Sequence, residues 1–182
     1  MKNIFLALVT LTLVVSCNKE QDPFLIEQHN IGHLTDSTQV KDLESIFPND
    51  SIVRYVGGDE FTGRINNIDI YDKKGNHLLV LTPSEALDST ATISNIRIKD
   101  QRYKTAKNIS ITSTFKEIQA AYKINRIDNL INSININVNA INAYFTIDKK
   151  ELPANLRYDM NITIEASQIP DRAKVKYFMI NW

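Results

Sequence analysis

The chain contains 182 residues, and its 21 basic residues balance its 21 acidic residues. This neutrality argues against a general role in nucleic-acid binding, which depends on clustered lysine and arginine. The length is sufficient to bury a hydrophobic core, as one domain or two small ones.

The N-terminus has the features of a secretory signal. Lys2 supplies a positive charge, an apolar run follows over residues 4–15, and the small residue Ser16 precedes Cys17. This order of a charged start, an apolar centre and a small residue is typical of signal peptides. The run is too short to span a membrane, which needs roughly 20 apolar residues.

Residues 13–17 resemble the lipobox of bacterial lipoproteins, with Val14 in place of the usual leucine. The resemblance implies that residues 1–16 are a signal peptide. It also implies that Cys17, the only cysteine, is the lipid attachment site and the mature N-terminus. The chain would then have the membrane as a partner through its N-terminal lipid.

A short polar tether is predicted over residues 17–24, followed by one domain over residues 25–182. The charged stretch 19–22 is similar to the export signal of surface lipoproteins in Bacteroidetes, and an ordinary solvated linker is the favoured alternative. We therefore expect a lipid-anchored protein of the outer membrane. Its location on the periplasmic side or at the cell surface stays open.

Apolar and polar residues that alternate with period two indicate strands with one buried face. The pattern covers residues 68–70, 96–99 and 162–165. Residues 72–76 predict a hairpin turn, in which Gly75 is free to adopt a positive φ. The apolar C-terminal stretch 175–182 predicts a final strand buried centrally, with Trp182 closing the core.

The alternation changes phase within residues 134–147. One parity holds Ile134, Ile136, Val138 and Ala140, and the other holds Ile141, Ala143, Phe145 and Ile147. A slip of one residue moves every side chain to the other face of a strand. The sequence therefore predicts a bulge or tight turn near residues 139–141.

Two short segments have apolar residues at helical spacing. They are Val40, Leu43 and Phe47, and later Phe115, Ile118 and Tyr122. Thr114 and Glu117 fit a capping box at the start of the second segment. The chain is thus predicted to be α+β: a strand-rich, mostly antiparallel sheet with two short helices.

Matching segments suggest an internal duplication. Residues 40–43 match 115–118, residues 65–74 match 141–150, and residues 95–99 match 161–165. The matches predict two related halves, over about residues 31–105 and 106–182. Chance similarity in a chain rich in isoleucine, asparagine and lysine is the alternative.

The sequence offers few candidates for catalytic or metal-binding residues. His29 and His33 have a spacing that binds metal on a helix face, but Gly32 intervenes and His77 is the only other histidine. No nucleophile elbow, phosphate-binding loop or zinc-protease motif occurs. We therefore predict no catalytic, no cofactor-binding and no metal-binding residues, and no cofactor.

Asp59 and Glu60 are adjacent acids after a glycine pair. On a strand they would point to opposite faces, whereas a loop would let them converge for acid–base work. A solvated turn is the favoured interpretation.

Four segments together resemble a known class of proteins. They are the lipobox and residues 68–72, 103–105 and 113–118. These segments are similar to uncharacterised envelope lipoproteins of Bacteroidetes and, less closely, to the enterobacterial YfeY-type lipoproteins of unknown function. Asn108 and Ser110 replace glycines expected before the second helix.

The resemblance implies an envelope lipoprotein and no established activity. We expect a non-catalytic binding module that contacts an envelope protein or a small ligand through exposed strand edges and loops. The alternative is an envelope hydrolase with an unrecognised active site. Convergent titratable groups with shifted pKa values in a cavity would favour the enzyme.

Overall fold

The computed structural model describes residues 21–55 and 66–182. Its strands, numbered along the chain, form two sheets. The smaller, mixed sheet contains β1 (Leu25–Ile26), β2 (Asn30–Ile31), β3 (Leu34–Thr35) and β8 (Lys104–Thr105) in the order β3-β2-β1-β8. Strand β1 pairs antiparallel with β2 and parallel with β8.

The larger sheet has eight antiparallel strands. They are β4 (Ser51–Arg54), β5 (Ile68–Tyr71), β6 (His77–Pro83), β7 (Ile93–Ile98), β9 (Arg126–Asn129), β10 (Ser133–Val138), β11 (Ala143–Asp148) and β12 (Val175–Asn181). Their order is β4-β5-β6-β7-β12-β11-β10-β9, so the C-terminal strand β12 lies near the centre, as predicted. Strands β4 and β9 form the two edges.

Two short helices precede strands β4 and β9. Helix α1 (Leu43–Ile46) continues a 3-10 turn over Val40–Asp42, and α2 (Phe115–Ala121) begins with the predicted capping box. Both lie where the apolar spacing predicted helices. The strand-rich, mostly antiparallel fold is thus confirmed, with α2 as its one regular helix, since α1 is a single turn of four residues.

The period-two pattern places one face of the large sheet in the core. Phe145 and Phe178 are fully buried neighbours on adjacent strands, with ring centroids 4.4 Å apart. On the other face, a row of cross-strand neighbours includes Asp69, Arg97 and Tyr144. The small sheet and both helices add apolar residues to the same core cluster.

Both turns predicted for the large sheet are present. Gly75 has a φ of 79° in the hairpin between β5 and β6. The phase change in the second half falls at a 3-10 turn over Asn139–Ile141, which ends in left-handed Asn142. This turn lets the isoleucines on both sides of it face the core.

The strand predicted over residues 162–165 is wrong. This segment is irregular and ends at a 3-10 turn, Ala166–Gln168. The Asn129 side-chain amide donates to the Asp159 and Ile162 carbonyl groups, which ties the segment to edge strand β9. Ile164 is buried because this segment covers the core as a loop. The alternation of apolar and polar residues over 162–165 therefore does not mark a paired strand.

The antiparallel pairing gathers several turns at one end of the large sheet. Strands β5, β7, β9 and β11 end there, and β4, β6, β10 and β12 begin there. Phe24 also packs there, since its ring lies under the guanidinium of Arg102, which bonds Asp72 in the β5–β6 turn. We call this the proximal end and the opposite one the distal end.

None of the helices within residues 21–55 and 66–182 has the length and hydropathy that a membrane-spanning helix needs.

Candidate functional site

A cleft with a volume of about 520 Å³ opens at the proximal end, between the small sheet, helix α1 and the β5–β6 turn. We call it the Arg102 cleft. It is lined by Pro23, Phe24, Ile31, His33, Ser45, Ile46, Phe47, Pro48, Asn49, Asp50, Asp72, Leu78, Arg102 and Tyr103. The volume and the mixture of apolar walls with a few polar groups are typical of small-ligand sites.

Aromatic packing shapes one wall of the Arg102 cleft. The rings of Phe24 and Tyr103 meet edge to face, with centroids 5.1 Å apart. The Arg102 guanidinium lies 4.7 Å from the centroid of Phe24. The backbone carbonyl of Phe24 accepts a hydrogen bond from Lys104, so the pairing of β1 with β8 positions this wall.

Arg102 is held by two carboxylates. Its guanidinium donates to Asp72 and to Asp100, each at 2.8 Å. These bonds, first that with Asp100, raise the pKa of Arg102, and the guanidinium lowers the pKa of Asp100. The Arg102 side chain is therefore held in place as part of the wall of the cleft.

Asp72 also organises the hairpin turn beside the Arg102 cleft. Its side chain accepts bonds from the backbone amides of Lys74 and Asn76 and from the Asn76 side chain. The Asn76 side chain and then the Asn76 backbone amide, followed by the Arg102 guanidinium, hold the pKa of Asp72 well below its ordinary value. Asp72 is thus a permanent negative charge at the rim.

Tyr103 and Asp50 are two of the polar lining groups that have no side-chain hydrogen bond within residues 21–55 and 66–182. Tyr103 is only 2% exposed, and its hydroxyl has no hydrogen-bond partner among the described residues. Burial, together with the charges of Asp50 and Asp100, raises the pKa of the phenol, so it stays protonated. Burial and the charge of Asp72 raise the pKa of Asp50.

These groups define what the Arg102 cleft can bind. A protonated phenol both donates and accepts, and an ionised carboxylate only accepts. Among the lining residues, the two carboxylates of Asp50 and Asp72 outnumber the one guanidinium, that of Arg102. The cleft therefore suits a neutral or cationic molecule that presents hydroxyl or amino groups beside an apolar surface.

The structure separates the three histidines. His29 pairs with Asp36 at 2.8 Å, and exposed His33 lies at the rim of the Arg102 cleft. His77 stacks on Tyr71, and burial lowers its pKa. Across residues 21–55 and 66–182, no three potential metal ligands come close enough to hold an ion.

Two other candidates from the sequence lie outside the described residues. They are Cys17, the predicted lipid attachment site, and the acidic pair Asp59 and Glu60.

Sequence reasoning missed Arg102 and the role of Tyr103. Both follow strand β7 on the 99–103 connection, and Tyr103 stood out only within the family resemblance. The acid–x–arginine spacing of Asp100 and Arg102 was the available signal, since it permits a local ion pair.

Comparisons with known proteins concern the fold alone. No protein-family model matches the chain, and no curated protein sequence matches it. The fold is similar to the crystal structure of the uncharacterized protein YfeY from Escherichia coli, with a TM-score of 0.53. The similarity covers 86% of this chain and 99% of YfeY at 13% sequence identity. The chain thus has a YfeY-like fold, and this neighbour carries no activity to transfer.

Proposed function

We propose that this protein is a lipid-anchored envelope protein with a non-catalytic, ligand-binding domain. Residues 1–16 would be removed as a signal peptide, and Cys17 would carry the lipid that holds the domain at the outer membrane. The lipobox over residues 13–17 supports the anchor. The similarity of several segments to envelope lipoproteins of Bacteroidetes supports an origin of the protein in that group.

The single observation that carries the binding role is the free hydroxyl of Tyr103 in the Arg102 cleft. The hydroxyl is not one of the fully buried, unpaired polar atoms of the described residues, so water reaches it in the cleft. A ligand that bonds this hydroxyl would replace that water, and a hydrogen bond in such a place contributes about 0.5–1.5 kcal/mol. The proposed ligand is a small molecule with hydroxyl or amino groups and one apolar face, which would lie against Phe24 and Phe47.

An envelope hydrolase is the second candidate function. Asp50, whose pKa is raised, shares the cleft with Asp72, whose pKa is lowered. Two carboxyl groups with pKa values moved apart can act as acid and base. Turnover of fluorogenic ester or glycoside substrates that is lost in Asp50→Asn would favour this function over simple binding.

The binding proposal is tested by recovering the ligand. Full-length protein is purified from membranes of the cells that encode it, and released small molecules are identified by mass spectrometry. We expect a compound that is retained by the wild type and depleted by about two- to tenfold in Tyr103→Phe, since one lost hydrogen bond corresponds to roughly that factor. The matched control is Tyr177→Phe, an exposed tyrosine outside the cleft. Equal recovery from all three proteins would contradict the proposal.

We also propose that the domain arose by the duplication suggested by the sequence, with halves over residues 31–105 and 106–182. A helix followed by four antiparallel strands occurs in each half, and the halves join at β7 and β12, which supports the idea. This order would relate β5 to β10 and β7 to β12. In that register residues 65–74 would not correspond to 141–150, and residues 95–99 would not correspond to the irregular segment 161–165. Aligned homologous sequences whose two halves share no pattern in that register would refute it.

A further inference from the structure

A second cavity, with a volume of about 570 Å³, also lies at the proximal end, beside the β9–β10 turn and the end of β11. Four cations line it: Lys149, Lys150, Arg157 and Lys176. Asp148 is the one acid of the lining, and it is bonded to Lys176 at 3.0 Å. The lining therefore keeps a clear excess of positive charge. We call these four cations the Lys150 patch.

The positive charge is built into the wall. Lys149 is 4% exposed, and its ammonium has no hydrogen-bond partner among the described residues. Arg157 is fixed by bonds to the carbonyl groups of Leu152 and Lys150. The Lys150 side chain extends into solvent. A buried, unpaired ammonium is costly, so this site gains stability when an anion approaches.

Exposed apolar side chains border the Lys150 patch. Tyr158 is 86% exposed, Ile131 is 69% exposed and Met160 is 48% exposed, and all three line the same cavity. Leu130, next to Ile131 on the β9–β10 turn, is exposed as well. Large apolar residues beside cations are typical of surfaces that enter the headgroup region of anionic membranes.

The Lys150 patch lies close to the proposed lipid anchor, which points to a membrane surface as its binding partner. Cys17 precedes the first described residue, Gln21, by four residues, which span at most about 14 Å when fully extended. Residues 21–24 join the fold at the proximal end, where the Lys150 patch also lies. Strands are about 4.8 Å apart, so only a few strand spacings separate the two.

We propose that the Lys150 patch docks the domain on anionic lipid headgroups of the membrane that holds the Cys17 lipid. The cations bind the headgroup phosphates, and Ile131, Tyr158 and Met160 enter the layer beneath them. This inference rests on the proposed anchor. Docking at the proximal end orients the Arg102 cleft towards the membrane surface.

The test uses mature, lipidated protein, which begins at Cys17, in vesicles. Because a lipidated Cys17 leaves no free thiol, Ile131→Cys gives a unique site for a polarity-sensitive fluorophore. Leu87→Cys is the matched control, since it is 75% exposed and lies on the distal β6–β7 connection. Vesicles of phosphatidylcholine are compared with vesicles that contain about one third phosphatidylglycerol.

We expect the probe at position 131 to shift to shorter wavelength and to be quenched by brominated lipid chains in the anionic vesicles. The probe at position 87 should show neither effect. Lys150→Glu should weaken insertion about fivefold or more, because each cation near an anionic surface contributes roughly that factor. Lys41→Glu makes the same change of charge at the distal end and should leave the signal unchanged.

Equal signals at positions 131 and 87, or insertion that is indifferent to phosphatidylglycerol and to Lys150→Glu, would overturn the docking proposal. A response to inorganic phosphate without vesicles would assign the patch to a soluble anion and overturn it too. Mass spectrometry of the Cys17 peptide shows separately whether Cys17 carries a lipid. If that peptide carries no lipid, Cys17 is also replaced by serine so that position 131 stays the unique thiol, and this protein, added to preformed anionic vesicles, must still insert position 131.

Discussion

Asp50 lies in the Arg102 cleft, where the surrounding protein desolvates its carboxylate and the charge of Asp72 opposes its ionisation. Both effects raise its pKa, so the carboxyl group ionises more readily in the unfolded chain than in the folded one. The stability that this group contributes is present at low pH and is lost as the pH rises through its folded pKa. A carboxylate whose ionisation lowers the stability of the folded protein is typical of a functional position.

Asp50→Asn is therefore expected to stabilise the protein at neutral pH. The gain in the free energy of unfolding should be a few tenths to about 1 kcal/mol, since the side chain is only partly buried. Urea unfolding at pH 7 and pH 3 measures it, and the gain should vanish at pH 3, where Asp50 is protonated. A loss of stability at pH 7 would contradict the assigned environment.

Single residues of the site were visible in the sequence, but their convergence was not. Asp72 belongs to a predicted hairpin turn, and that turn is confirmed. Asp50, Asp72 and Tyr103 meet only because the sheets bring together segments far apart in the chain. Periodicity reports which face a residue occupies and carries no information on such long-range pairing.

Helix α2 depends on the capping box that the sequence predicted. The Thr114 amide and hydroxyl both donate to Glu117, at 2.7 and 2.9 Å. These bonds lower the pKa of Glu117, first through the backbone amide. The cap positions Phe115 and Ile118, which are buried in the core.

Thr114→Ala is expected to lower the free energy of unfolding by about 1 kcal/mol, the usual value of an N-cap. For a chain of this size the midpoint of thermal unfolding should fall by about 2–4 °C. Calorimetry at pH 7 measures the change, with the exposed Lys123→Ala as a control. A midpoint equal to that of the control would mean that core packing alone holds the helix.

At the level of elements, regular strands were predictable and short or irregular ones were not. Strands β5 and β7, the helices and the turn at Asn139–Ile141 follow from local periodicity. The two-residue strands of the small sheet are too short to show a period, and β1 with β8 requires pairing between distant segments. Residues 162–165 show that a loop over an edge strand can alternate like a strand.

At the scale of the whole molecule, the fold and the proposed anchor lead to one arrangement. The first described residues, the Arg102 cleft and the Lys150 patch all lie at the proximal end. A short tether would keep that end close to the membrane. The ligand of the cleft would then be met at the membrane surface.

Cys17→Ser is expected to leave an unlipidated precursor that keeps residues 1–16 and is lost from the membrane fraction. A single acyl chain binds only reversibly, and two or more anchor stably, so loss of the lipidated cysteine should release most of the protein. Fractionation and intact mass measure this result, with Ser16→Ala as a control that keeps a small residue. A Cys17→Ser protein that is still processed and membrane-bound would refute the anchor.

The central claim is that the Arg102 cleft is occupied in the cell, and photo-crosslinking tests it most directly. A photoreactive amino acid is placed at Asn49, an exposed residue of the cleft, or at Lys123, an exposed residue outside it. Irradiated cells should give a defined adduct from position 49 that is absent from position 123 and diminished by Tyr103→Phe. The same adducts from both positions, or an adduct at position 49 that is unchanged by Tyr103→Phe, would contradict it.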